Sequence, residues 1–216
     1  MTIAMHDSVE QVLASHIPDD ARAWFQGALD KAEGAWQAPF AMVDRKLPRG
    51  APSLNDAQRE ALGDRQWLFE DSSFVELGRV TVLLRMGMHS SGQRVSETLT
   101  ECFRRGDNAE KRAVLRSLAL MPAPQELVDL AVNGCRTNVT TVFEGISCSN
   151  PYPAKHFPEP NFNQLVLKAL FIGVALERIM SIRDRLNEDL ARMARDYADE
   201  REAAGRSLPP DIELVM

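Results

Sequence analysis

Eight side chains in the second half of the chain combine types and spacing that chemistry requires: Arg136, Asn138, Glu144, Tyr152, His156, Asn163, Gln164 and Lys168. Glu144, His156 and Lys168 are a carboxylate, an imidazole and an amine, which suits general acid-base work once burial and neighbours tune their proton affinities. The amides of Asn138, Asn163 and Gln164, the Arg136 guanidinium and the Tyr152 phenol instead offer donors and acceptors to a polar small molecule. At about 100° per residue, Gln164 and Lys168 share a helical stripe with Phe171, and Asn163 lies beside it. The same residues also fit a charge-compensated network in which Arg136 or Lys168 pairs with Glu144 and orders two helices, since buried pairs specify more than they stabilise.

Other reaction chemistries have thinner support in the residues. Cys148 near His156 is a thiol-base pairing of the kind nucleophilic catalysis uses. His156 and Glu159 give H-x-x-E, but Pro158 lies between them and no second histidine accompanies the pair. His6, His16, His89 and His156 never stand four residues apart, so no histidine metal site is expected. Cys102, Cys135 and Cys148 are odd in number without a C-x-x-C pair, and read as buried reduced thiols rather than a disulfide framework or zinc knuckle. Neither a phosphate loop nor a G-x-S-x-G elbow is present. The expectation is no cofactor and no metal, with a binding role favoured over catalysis.

Three segments between Arg136 and Val174 must position these groups. Residues 137–147 carry β-branched side chains that favour strands, yet Val139, Val142, Phe143 and Ile146 keep helical spacing, so a helix is expected. Residues 150–161 hold prolines at 151, 153, 158 and 160, which predicts an extended, stiff link. Such a link either presents Tyr152, Lys155 and His156 over a pocket or acts as a staple with Tyr152 and Phe157 in the core. The run from Phe162 to Val174 is apolar on nearly every side, and such a helix is buried. Its polar residues then need partners inside the protein. If the helices flanking the link are neighbours, Arg136, Asn138, Glu144, Asn163, Gln164 and Lys168 line one polar cavity.

The remaining punctuation reads as more helices. They are expected at 8–16 behind Ser8, from Pro18 to a stop at Gly34, and at 55–62, 71–86 and 93–105. Others follow at 108–120 behind an Asp107/Glu110 capping box, at 124–134 with proline in its first turn, and at 182–205. Between 37 and 53 an irregular link surrounds a short apolar turn from Phe40 to Val43. The last helix presents Leu186, Leu190, Met193, Tyr197 and Ala204 as a seam, with Glu188–Arg192 and Arg195–Asp199 as ion pairs. The predicted class is all-α: a single domain over 1–216, with a looser part at 1–53 and a helical core at 54–212. It is expected to form a HEAT-like array of antiparallel helix pairs, about nine or ten helices in all.

Composition narrows the partners. The 31 acidic and 25 basic residues give a net charge of −6, which lacks the basic field that nucleic acid or an anionic membrane surface requires. The first residues show no secretory pattern, and the longest apolar run, 165–176, contains Lys168 and falls short of the ~20 residues that span a bilayer. A cytoplasmic protein is expected.

Three colinear stretches, GDNAEKRAVLRSLALMP (106–122), CRTNVTTVFEGISCSNPYPAKHFPEPNFNQLVLKALFIGV (135–174) and MARDYADEREAAGRSLPPD (193–211), resemble the EboA family. Its members are described as metabolite traffic proteins, and the first hundred or so residues are similar to it only loosely. The resemblance implies an all-helical protein encoded beside a UbiA-type prenyltransferase, a TatD-like hydrolase, a cyclase resembling dehydroquinate synthase and a sugar-isomerase-like protein. The residues themselves, a buried helix carrying Gln164 and Lys168 and no catalytic signature, favour a non-catalytic protein that binds a small metabolite, prenylated or cyclitol-type, or docks on a pathway enzyme. The resemblance adds an association with moving or maturing such a metabolite. It supplies no catalytic residues, so the eight-residue site rests on the residues alone. The alternatives are an enzyme using Glu144, His156 and Lys168, and a purely structural subunit.

Overall fold

In the computed structural model, residues 2–216 are described, with side chains from residue 8 onward. Twelve α-helices occur among them: α1 (Thr2–His16), α2 (Asp19–Ala32), α3 (Gln37–Lys46), α4 (Asp56–Leu62), α5 (Phe74–Met88), α6 (Gly92–Arg105), α7 (Asn108–Ser117), α8 (Val128–Cys135), α9 (Thr140–Ser147), α10 (Tyr152–His156), α11 (Glu159–Ile172) and α12 (Glu188–Ala203). Short 3-10 segments join several of them, and no strand occurs among the described residues. The all-α class stands.

Side-chain caps explain several starts. At α7 the Asp107 carboxylate accepts from the Glu110 amide (2.8 Å) while the Glu110 carboxylate accepts from the Asp107 amide (3.0 Å), closing the capping box expected from sequence. Asn55 and Gln58 open α4 in the same reciprocal way. Ser73 caps α5 by accepting from the Glu76 amide, so that helix starts at Phe74 rather than 71. α1 already runs through Ser8, which stands inside the helix rather than at its start. Part of two other expected helices tightens into 3-10 turns, Pro124–Leu127 before α8 and Ile182–Arg185 before α12.

α5 is the central rod. Its buried residues run almost without interruption from Val75 to Leu84, so it is covered on every side. α1, α2 and α3 pack around one part of it and α7 against another, and α9 packs on α7. The tightest approach is at Gly78, where Val43 and Leu47 from the end of α3 occupy the space a Cβ would need. Beyond α5, α6 packs on α7 and α8 on α9. Helices α1 to α3 surround α5 instead of continuing that pairing. One contiguous set of buried side chains runs from Val9 to Val215, and Leu13, Phe25, Leu29 and Val43 of the N-terminal part belong to it.

Two proline-bearing links are helical where irregular or extended chain was expected. α3 fills 37–46, with Pro39, Phe40 and Val43 buried. In α10, Pro151 is the N-cap and Pro153 lies in the first turn, where a missing amide proton costs no intrahelical bond. Asn150 sets that turn: its amide donates to Gly145 and Leu115 carbonyls, and its carbonyl accepts from the Tyr152 amide (3.0 Å).

α11 departs from the expectation most. Phe162, Asn163, Leu165, Val166, Ala169 and Leu170 are buried, but Gln164 is exposed and Phe171 is 71% exposed. Gln164 and Phe171 therefore face outward, whereas Lys168 between them is half-buried against the C-terminal end of α8. α9 and α12 pack on α11. On α12, Leu190, Ala194 and Ala198 are buried, while Leu186, which precedes the helix, is 44% exposed. Arg192 there pairs with Asp189 (3.2 Å) and Asp196 (3.5 Å) instead of Glu188, and Arg195 donates to the Met216 carbonyl (2.9 Å) instead of pairing with Asp199.

Candidate functional site

The eight side chains singled out by sequence do not meet in one cavity. Arg136, Gln164 and Lys168 line a concavity of about 260 Å³ with Phe157 and Asn161. The Lys168 ammonium is engaged there: Nζ donates to the Cys135 (2.6 Å) and Thr137 (2.5 Å) carbonyls and sits 5.2 Å from the centre of the Phe143 ring. Lys168 thus caps the C-terminal end of α8, where unpaired carbonyls and the helix dipole favour a cation. Asn163 is buried in a reciprocal amide pair with Asn187, both bonds 3.0 Å, and Asn187 in turn caps α12. Arg136 and Asn138 are exposed.

Under the α10 segment, the core takes the aromatic residues. Tyr152 is fully buried, its hydroxyl donates to the Pro124 carbonyl (2.5 Å), and Phe157 meets its ring edge-on at 6.1 Å. The His156 ring lies tilted against Tyr152, 4.8 Å between ring centres. Burial, with the Lys155 charge adding, lowers the His156 pKa below its ordinary value. The Cys148 sulfur lies 3.5 Å from the Ser147 hydroxyl, and among the described residues no hydrogen bond joins Cys148 to His156. Burial raises the thiol pKa values of all three cysteines, those of Cys102 and Cys135 to about 12, so they are protonated at neutral pH. The His6 side chain lies outside the described residues. No group of three or more His, Cys, Asp or Glu able to hold a metal ion occurs among those described.

Glu144 faces a different concavity, of about 440 Å³, between α5, α7 and α9. It accepts from Arg178 (2.6 Å) and lies 3.9 Å from Arg112. The acid-base trio of Glu144, His156 and Lys168 is therefore divided among separate environments. Behind this concavity stands a residue the sequence reading missed. Arg116 is fully buried and donates to the carbonyls of Trp67, Leu68, Glu70, Cys148 and Ser149 and to the Ser72 hydroxyl, with Trp67 also under its plane at 5.3 Å. Burial lowers its pKa to about 10, which leaves it charged at neutral pH. It ties two loops to α7. In sequence it looks like one more polar residue of an amphipathic helix, and nothing in its spacing signals burial.

A larger concavity, about 630 Å³, lies elsewhere, between α2–α3 and α6, with the end of α5 behind it. Half-buried Trp36 and exposed Ala41 supply apolar surface, with Ala32, Phe40 and Met86 nearly buried behind them, and the Trp36 and Phe40 rings meet edge-on at 5.8 Å. α6 forms the facing wall. It buries Val95, Leu99 and Phe103 and turns Arg94, Glu97, Glu101 and Arg105 toward the cleft. At one end His89 faces Glu33 (3.5 Å), which also lies 3.5 Å from Arg85. Glu101 is hydrogen-bonded by Arg104, which holds its carboxyl below the usual range, with Arg105 adding. The lining carboxylates Glu33, Glu97, Glu101 and Glu110 outnumber Arg94 and Arg105, so the rim is rich in carboxylates, of which Glu33 is paired with Arg85 and Glu101 with Arg104 and Arg105. The α6 amphipathicity was legible in the sequence. The cleft was not, because Phe40 of its floor lies in the stretch read as an irregular link and Trp36 just before it.

No described helix is long and apolar enough to cross a membrane. Comparison with curated proteins and comparison with solved structures each return no match. The family model described as "Metabolite traffic protein EboA" matches residues 5–216, nearly the whole chain, including the N-terminal part that resembles the family only loosely. On that match the chain belongs to the EboA family.

Proposed function

We propose that the protein is a non-catalytic carrier that holds a small amphiphilic metabolite in the cleft between α2–α3 and α6. One observation carries this reading: a concavity of about 630 Å³ joins an aromatic and aliphatic floor to a charged rim. That volume falls within the roughly 300–1,000 Å³ of ordinary small-molecule sites, which combine apolar lining with a few polar groups. Trp36, Phe40 and Met86 take the apolar body of the ligand, and the acidic rim accepts hydrogen bonds from hydroxyl or amine groups. A prenylated or cyclitol-type metabolite has that division, and the family's description as a traffic protein supports carriage over turnover. Delivery to a pathway enzyme, such as a UbiA-type prenyltransferase or a TatD-like hydrolase, completes the proposed role.

A second reading places the metabolite at the concavity of Arg136, Gln164 and Lys168, favoured by the convergence of those three residues with Phe157. Its smaller volume, about 260 Å³, and the commitment of Lys168 to two carbonyls make it the weaker host. Titration with an organic extract of the source cells, followed by tryptophan fluorescence, tests both readings. Binding in the large cleft changes the emission of the wild type and not of Trp36→Phe. A change that survives Trp36→Phe and disappears in Gln164→Trp supports the smaller site, and no change in any variant contradicts both.

A further inference from the structure

We infer that the concavity between α5, α7 and α9 is a separate binding site for the anionic group of a small polar molecule, a carboxylate or a phosphate, with Arg79 as its principal ligand. Arg79, on α5, lines this concavity and is only 5% exposed. Its Nε has no hydrogen-bond partner among the described residues. The Glu110 carboxylate oxygen that it approaches is 3.8 Å from Nη2, beyond hydrogen-bond reach. The Phe40 ring lies 5.6 Å from its guanidinium carbon. A guanidinium removed from water without an acceptor is costly, and that cost is recovered when an oxyanion supplies paired acceptors in the plane of the fork.

The neighbouring arginines differ from Arg79 in being held. Arg112 donates to the Glu76 carboxylate (2.8 Å) and to the Thr141 (2.9 Å) and Asp71 (3.2 Å) carbonyls. Arg178 binds Glu144 (2.6 Å) and lies 3.3 Å from the Asp71 carboxylate. These pairs offset one another and fix the walls, so that of the three arginines lining the concavity Arg79 is the one with a buried, unpartnered Nε; Arg116 Nε is also unpartnered, but Arg116 does not line it. Glu110 cannot swing across freely, because its other oxygen closes the α7 capping box. Three carboxylates, Asp71, Glu76 and Glu144, also line the concavity, so a highly charged polyanion is disfavoured. The occupant carries one anionic group for Arg79 and hydroxyl or amine donors for the acidic wall.

Thermal unfolding in sodium phosphate, sodium acetate and sodium chloride of equal ionic strength tests this assignment, with the two oxyanions distinguishing the kinds of group. The midpoint is expected to rise by about 3 °C or more over chloride with at least one oxyanion at tenfold excess over its Kd. Arg79→Met is expected to abolish the rise, and Arg79→Lys, which keeps the charge but loses the fork, to at least halve it. Ala41→Trp, which fills the other cleft, is expected to leave it intact. No rise over chloride, or a rise undiminished in Arg79→Lys, overturns the assignment even if Arg79→Met fails to fold. A rise lost in Ala41→Trp also overturns it, because the anion then sits in the large cleft.

Discussion

Arg116 is the residue on which segments 67–72 and 148–149 converge. Its removal leaves five carbonyls and a hydroxyl without their donor in the interior. Breaking a buried charge network costs about 3–5 kcal/mol, so Arg116→Met should lose that much in urea denaturation, and a loss under about 1 kcal/mol would contradict the structural role. Lys168→Met is expected to cost less, about 1–2 kcal/mol, since a half-buried ammonium serves two carbonyls. Its specific signature is faster amide exchange at the end of α8. His156 gives a pH dependence. Its folded pKa lies below the unfolded value of 6.5, so the unfolded chain takes up the proton first and stability falls as pH drops below about 6.5. His156→Asn should flatten that part of the wild-type melting profile between pH 7 and 5; parallel profiles would show that His156 contributes nothing.

Among the helices, the contact of α9 with α7 is set by a glycine. A Cβ on Gly145 would lie 2.9 Å from Arg112 Cγ and 3.3 Å from the Arg112 carbonyl oxygen. Gly145→Ala must therefore push α9 from α7 at a cost of about 1–3 kcal/mol. Gly27, on α2, has nothing within 4 Å of such a Cβ, so Gly27→Ala should add about 0.5–1 kcal/mol through helix propensity. Melting of the two variants side by side checks the contrast, which equal shifts would refute. Helix identity was legible in the chain wherever a cap or a stop was local: the Asp107/Glu110 box, the Pro18 start and the β-branched but helical 140–147 segment all follow from neighbours in sequence. Which rod is central was not legible. Both 75–84 and 162–174 are rich in apolar residues, and periodicity cannot say that three helices wrap the first while the second keeps an outer stripe ending in Phe171. Pro151 and Pro153 misled in a similar way, since proline is extended in a link but compatible with a first helical turn.

At the scale of the molecule, the candidate site was only partly legible because chemistry-bearing residues close in sequence face different hollows. Phe143 supports Lys168 on one side of α9, whereas Glu144, the next residue, turns to Arg178 on the other. The large cleft draws its walls from α2, α3, α5 and α6, and no local pattern reports that these surfaces meet. Its apolar floor and acidic rim make this cleft the proposed seat of the metabolite in an EboA-family protein. Ala41 is an exposed position on α3 at the edge of the cleft, so a large side chain there blocks the hollow without disturbing the core. Native mass spectrometry of wild type and Ala41→Trp, each purified from the source organism, is the most direct measurement. The account predicts a retained small mass on the wild type that is absent from folded Ala41→Trp. A wild type without any bound mass, or the same mass at equal occupancy on both proteins, would contradict it.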